Sequence, residues 1–187
     1  MHKQHVSIFF VFMIAMAAFV VNCKENEEIK KGSWQERLME ELPVLGHRNW
    51  LVVADSAFPA YTQEGVEVIA TGEDHFIVLE KVLKAIDQSR HIRPHLYLDK
   101  ELDYVPEQYA SGMEACRKRL AAALKGRDAK PILHEELIKR LGEVAKTFHI
   151  LMLKTTLTLP YTSVFIELDC GYWSGEGEAA LRERMKN

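Results

Sequence analysis

A three-layer α/β/α domain with a mostly parallel sheet is the fold class this sequence predicts, and four observations predict it. Trp50 to Ala54 is an unbroken apolar run with two valines, the pattern of a strand buried on both faces. Val66 to Ala70 reads as a second strand, closed by the turn Thr71-Gly72-Glu73-Asp74. Phe76, Leu79, Val82, Leu83 and Ile86 then recur at three and four residues, an amphipathic helix from about Asp74 to Ser89. Leu96-Tyr97-Leu98 follows as a short strand ending at Asp99, so that strand, helix and strand make the crossover unit of a parallel sheet.

The remaining elements fall into place around that unit. Lys3 and two histidines precede an apolar stretch from Ile8 to Val21, too short to span a bilayer comfortably but suited to the h-region of a signal peptide over residues 1–22. Cys23 and the polar Lys24-Glu25-Asn26-Glu27-Glu28 resemble a bacterial lipoprotein signal, which implies lipidation of Cys23, a tether over 23–33 and an extracytoplasmic, membrane-anchored domain over 34–187, in the periplasm or at the cell surface. Trp34, Leu38, Met39 and Leu42 mark one helical face, stopped by Pro43. From Pro106 some forty residues are expected to be helical, first around Tyr109, Met113, Cys116, Leu120 and Leu124, then around Leu133, Leu137, Leu141 and Val144, parted by Gly126-Arg127-Asp128. Phe148 to Leu153 and Ser163 to Leu168 read as the last strands, giving about five, and a short helix is expected from Glu176.

Composition narrows the function classes. With 24 Lys and Arg against 27 Asp and Glu, the net charge is −3 and no basic patch marks a nucleic-acid binder. Cys116 and Cys170 lie far apart without metal-type spacing, and two lone buried thiols are expected.

His47 and Asp55 bracket the first strand and are the best-placed pair for moving protons, because ligands of parallel sheets bind beyond the strands' carboxyl ends. The competing reading has Asp55 satisfying turn amides alone. Glu73 or Asp74 is expected to cap the helix that follows, and His75 to face the pocket from that helix terminus. His91, Arg93 and His95 read as a solvated loop around Pro94. Asp99, Glu101 and Asp103 follow a strand and suit either a sugar or a divalent cation, the latter being the basis for a metal-dependent hydrolase as a third function class. Trp50 and Tyr97 are expected in the core, and Tyr172-Trp173 as an interface anchor.

Leu45-Gly46-His47, the strand to Ala54-Asp55, Phe58-Pro59-Ala60 and Pro160-Tyr161 resemble the D-ribose pyranase and L-fucose mutarotase (RbsD/FucU-like) family. The resemblance implies a cofactor-free isomerase that opens and recloses the ring of a free monosaccharide of ribose or fucose type. It implies His47 as acid/base, Asp55 orienting the sugar, and Tyr161 contacting it. Ser163 stands where the family carries a sugar-binding asparagine. It also implies a ring-shaped homo-oligomer with sites at subunit interfaces, so that a second copy completes each site. Imidazole, with an ordinary pKa of about 6.5, can take and return a proton at neutral pH, and ring opening needs both steps. The alternative from another class is a noncatalytic monosaccharide-binding module on the same scaffold.

Overall fold

The computed structural model describes residues 32–186; the expected signal peptide, Cys23 and most of the tether lie outside the described residues. Ser33 opens the first helix, α1 (Trp34–Glu41), through a reciprocal capping box with Glu36. β1 (Trp50–Ala54) and β2 (Val66–Ala70) follow, and then α2 (His75–Asp87), whose cap is Asp74, accepting from the amides of Phe76 and Ile77. β3 (Ile92–Asp99) runs into a 3-10 turn (Lys100–Tyr104), α3 (Met113–Ala123), β4 (Ala129–Ile132), α4 (His134–Val144), β5 (Ile150–Lys154), β6 (Val164–Cys170) and α5 (Gly175–Arg184).

Six strands, rather than about five, form one sheet in the order β2-β5-β1-β6-β3-β4. Pairings β1 with β5, β2 with β5 and β3 with β4 are parallel, whereas β6 is antiparallel to both β1 and β3. Five strands therefore share one direction and β6 runs against them in the middle. The consequence is a sheet whose one end collects five carboxyl ends and the entry of β6. Its opposite end collects five amino ends and the exit of β6.

Two apolar layers cover the faces. Leu51, Val53, Leu151, Leu153 and Ile166 pack under α1, α2 and α3, while Trp50, Val52, Met152 and Phe165 pack under Leu137 and Leu141 of α4. Alternate side chains of β1 go to opposite layers, which is why its whole length is apolar. The three-layer class is thus the observed one. Trp50 and Tyr97 stack in the core with centroids 5.6 Å apart, as expected. No residue of α5 is buried, and among the described residues no helix is long and apolar enough to cross a membrane.

Two local readings need correcting. Ile92 to His95 is strand, not solvated loop: it pairs with Cys170 to Glu167 on β6, and only side chains pointing off the sheet reach water. Cys116 and Cys170 are both free, and Cys170 is half-buried rather than buried because it sits at the end of its strand.

Candidate functional site

The polar side chains gather at the carboxyl end of the sheet. Asp55 follows β1, Thr155 follows β5, Asp99 ends β3, Ser163 precedes β6, and His134 begins α4 two residues after β4. Asp55 is held on both oxygens. The Ala57 amide donates to Oδ1 at 2.9 Å, and the Ser163 hydroxyl donates to Oδ2 at 2.9 Å while accepting from the Asp55 amide at 3.1 Å. Ser163 is only 1% exposed, so its hydroxyl holds Asp55 instead of reaching outward, which corrects its expected place on the sugar. His75 also lies too deep for the role foreseen for it. At 1% exposure its Nδ1 donates to the Thr155 hydroxyl at 3.1 Å, which in turn donates to the Ala54 carbonyl. Burial, opposed by the nearby Asp55 charge, depresses the His75 pKa to about 4.

Asp99 is 2% exposed, and the Nδ1–H of His134 donates to its Oδ1 at 3.0 Å. Its Oδ2 is buried without a hydrogen-bond partner. Burial raises the Asp99 pKa to about 6, against the lowering effect of His134 and with a further push from the charges of Glu101 and Asp55. A carboxyl group that titrates near neutrality, bonded to an imidazole, is a proton-transfer unit. His134 itself is partly exposed and lies edge-on to Tyr161, with centroids 5.3 Å apart, and to Phe58 at 6.3 Å. Tyr161 is 37% exposed and holds φ 58°, a left-handed backbone that a bulky residue adopts only when its surroundings impose it. This end therefore presents an imidazole and a phenol over a layer of buried acids.

His47 is not among them. It precedes β1 and stands at the sheet's amino end, roughly 16 Å from the carboxyl end by the rise of a five-residue strand. The expected convergence of His47 and Asp55 within one chain is therefore corrected, because an extended strand separates what it joins. His47 Nδ1 instead lies at ion-pair distance, 3.0 Å, from Asp169 Oδ1, beside Arg48, which also has a left-handed backbone at φ 74°. A cleft of about 570 Å³ opens there, lined by His47, Arg48, Trp50, Lys139, Arg140 and Glu167.

The cation-site reading of Asp99, Glu101 and Asp103 also fails on geometry. Asp99 turns to His134, Glu101 accepts from the His134 amide at the start of α4, and the trio does not converge. Glu41, Glu67 and His149 do gather, but Arg37 already bridges the two carboxylates.

His134 was the residue missed in the sequence. Its signal was the passage from Ile132-Leu133 into the acidic first turn Glu135-Glu136, a strand-to-helix junction obscured by Pro131 in a four-residue edge strand.

A mixed α/β fold with five co-directional strands and acid and imidazole groups at their carboxyl ends defines the class of molecule. No protein-family model and no curated protein matches the chain. Among solved structures, it is similar to Bacillus subtilis RbsD complexed with D-ribose, with a TM-score of 0.49, 15% identity, and coverage of 71% of this chain and 91% of that one. It is similar also to FucU from Bifidobacterium longum (TM-score 0.46, 15% identity, 72% and 94%). A third is the fucose mutarotase from Streptococcus pneumoniae in complex with L-fucose (TM-score 0.46, 16% identity, 78% and 97%).

Proposed function

We propose that this protein takes a free monosaccharide at the carboxyl end of its sheet and interconverts its ring forms by acid–base chemistry. The observation that carries the reading is the buried Asp99 bonded to the half-exposed His134. In ring opening, a base removes the proton of the anomeric hydroxyl, the bond from the anomeric carbon to the ring oxygen breaks, and an acid protonates that oxygen. Reclosure on the other face, or through another hydroxyl, gives the other anomer or ring size, and atoms balance without a cofactor. His134 Nε2 is the group facing outward, Asp99 stabilises the imidazolium that forms, and Tyr161 and Asp55 suit the sugar hydroxyls as donor and acceptor. The sugar class, ribose- or fucose-like, rests on the sequence resemblance around His47 to Ala60.

His47 enters this proposal from a second copy. One end of the molecule carries His47 and the other carries Asp55, Asp99 and His134, so a head-to-tail contact between copies would bring the two sets together, the shared interface site that the family resemblance implies. A noncatalytic sugar-binding module is the second reading, favoured by the Ser163 hydroxyl being spent on Asp55.

Saturation-transfer NMR of anomer exchange on free aldoses tests the proposal. Exchange should be accelerated by the wild type and lost in His134→Ala; binding without acceleration selects the module, and neither binding nor acceleration ends both readings. Co-expressing His47→Ala with His134→Ala chains should restore about a quarter of wild-type activity if sites are shared between copies, because a quarter of random interfaces are then intact. Mixtures as inactive as their parents would refute sharing.

A further inference from the structure

We infer that Asp169 is a positioning residue that sets the tautomer and aim of His47, an inference that rests on the shared-site reading above. Five contacts converge on this one carboxylate at the exit of β6. Oδ1 accepts from the Cys170 amide at 2.7 Å and lies 3.0 Å from His47 Nδ1; Oδ2 accepts from Arg93 Nε at 2.9 Å, from Arg93 Nη2, and from His95 Nε2 at 3.2 Å. The register of β3 with β6 places Arg93 directly opposite Asp169, so the carboxylate is clamped by the sheet itself. The Arg48 amide bonds the Leu168 carbonyl at 2.8 Å, tying the loop that carries His47 to the same strand.

A carboxylate fixed from one side can do one thing to an imidazole on its free side. A bare Nδ1 lone pair 3.0 Å from a carboxylate oxygen is repelled, so the charge favours the tautomer with the proton on Nδ1, which leaves the lone pair on Nε2. His47 is 54% exposed over its side chain, so without this neighbour it would sample many rotamers and both tautomers. Burial would lift the Asp169 pKa, but Arg93, the Cys170 amide and His95 outweigh that and hold it at about 2, so the acceptor stays ionised throughout the working range. Cys170 contributes its amide alone.

The test reads the tautomer and the rate separately, on the full-length protein. Long-range ¹H–¹⁵N correlation at alkaline pH should show the His47 proton on Nδ1 in the wild type and a shift towards Nε2 in Asp169→Asn. With the sugar that the wild type turns over best, Asp169→Asn should lower kcat roughly 10- to 100-fold with KM within about twofold, and Asp169→Glu should recover part of the loss. A His47 tautomer unchanged by Asp169→Asn overturns the positioning role, whatever the rate does. If His47→Ala leaves exchange intact, the shared-site reading fails, and the tautomer measurement still decides whether Asp169 orders the ring. Should Asp169→Asn not fold, Arg93→Met/Asp169→Asn removes the guanidinium left without its counter-charge and is read in the same way.

Discussion

Asp99 and Asp169 stand at opposite ends of one sheet, and each has a histidine Nδ1 3.0 Å from one of its oxygens. One titrates near 6 and the other near 2. A neighbouring imidazole is common to both, so it is not what separates them. Asp99 has a single partner and a buried free oxygen, whereas Asp169 is reached by water and shared among Arg93, His95 and a backbone amide. Desolvation therefore raises the pKa of one aspartate beside its imidazole, and charge pairing keeps the other ionised.

The sharpest way to break this comparison is through activity. His134→Ala should lower anomer exchange by about 10²- to 10⁴-fold, the usual contribution of a positioned acid or base, and Asp99→Asn should follow it closely because the imidazolium loses its counter-charge. The loss in Asp169→Asn should be smaller. Saturation-transfer rates on the three variants rank the two ends, and the reverse ranking would move the chemistry to the amino end.

Stability against pH gives the next largest effect. Asp99 has a folded pKa above its ordinary 3.8, so its contribution to stability is fully present below about pH 4 and lost as pH rises through about 6, costing on the order of 3 kcal/mol above that. Asp99→Asn should thus be more stable than wild type at pH 8 in urea unfolding, even as it loses activity. His75 acts with the opposite sign. Its folded pKa is depressed from 6.5 to about 4, so its contribution is full above pH 6.5 and lost on acidification towards pH 4, again on the order of 3 kcal/mol. Between pH 4 and 6 the two slopes oppose each other. Asp99→Asn should expose the His75 slope, and its stability should fall more steeply with acid than that of the wild type; a parallel pair of curves would show that Asp99 is not desolvated.

The smallest effect concerns the strained backbone that each end carries, at Arg48 and Tyr161. Arg48→Val should cost about 1–2 kcal/mol, because a β-branched side chain fits poorly at positive φ, while Arg48→Asn should stay within about 0.5 kcal/mol. Thermal unfolding of both separates backbone strain from loss of the Arg48 contact with the Phe148 ring.

Much of the fold was legible because its signals are local. The apolar run of β1, the bounds of β2 and the face and cap of α2 each depend on residues within one or two turns of the chain. β4 was not legible, since Ala129-Lys130-Pro131-Ile132 is a short edge strand whose proline removes the usual pattern. The direction of β6 was hidden for a different reason: an apolar segment reads the same whichever way it is inserted between its neighbours. Among the candidate residues, Asp55 and Asp99 are legible as polar residues at strand ends and Tyr161 only through the family resemblance, while His134 is hidden with β4. His47 and Asp55 were wrongly joined because they are close in sequence, and a strand sends its two ends apart.

By itself, then, the sequence determined which segments become strands and helices, which faces are apolar, and that acids and imidazoles cluster at the ends of strands, since these follow from residue type and period. Only the tertiary structure decided which ends meet. Reversing one central strand carries Asp169 to the amino end and Ser163 to the carboxyl end, where burial raises the pKa of Asp99 while charge pairing lowers that of Asp169 at the other end. Strand pairing and desolvation depend on residues tens of positions away, and no local pattern encodes them.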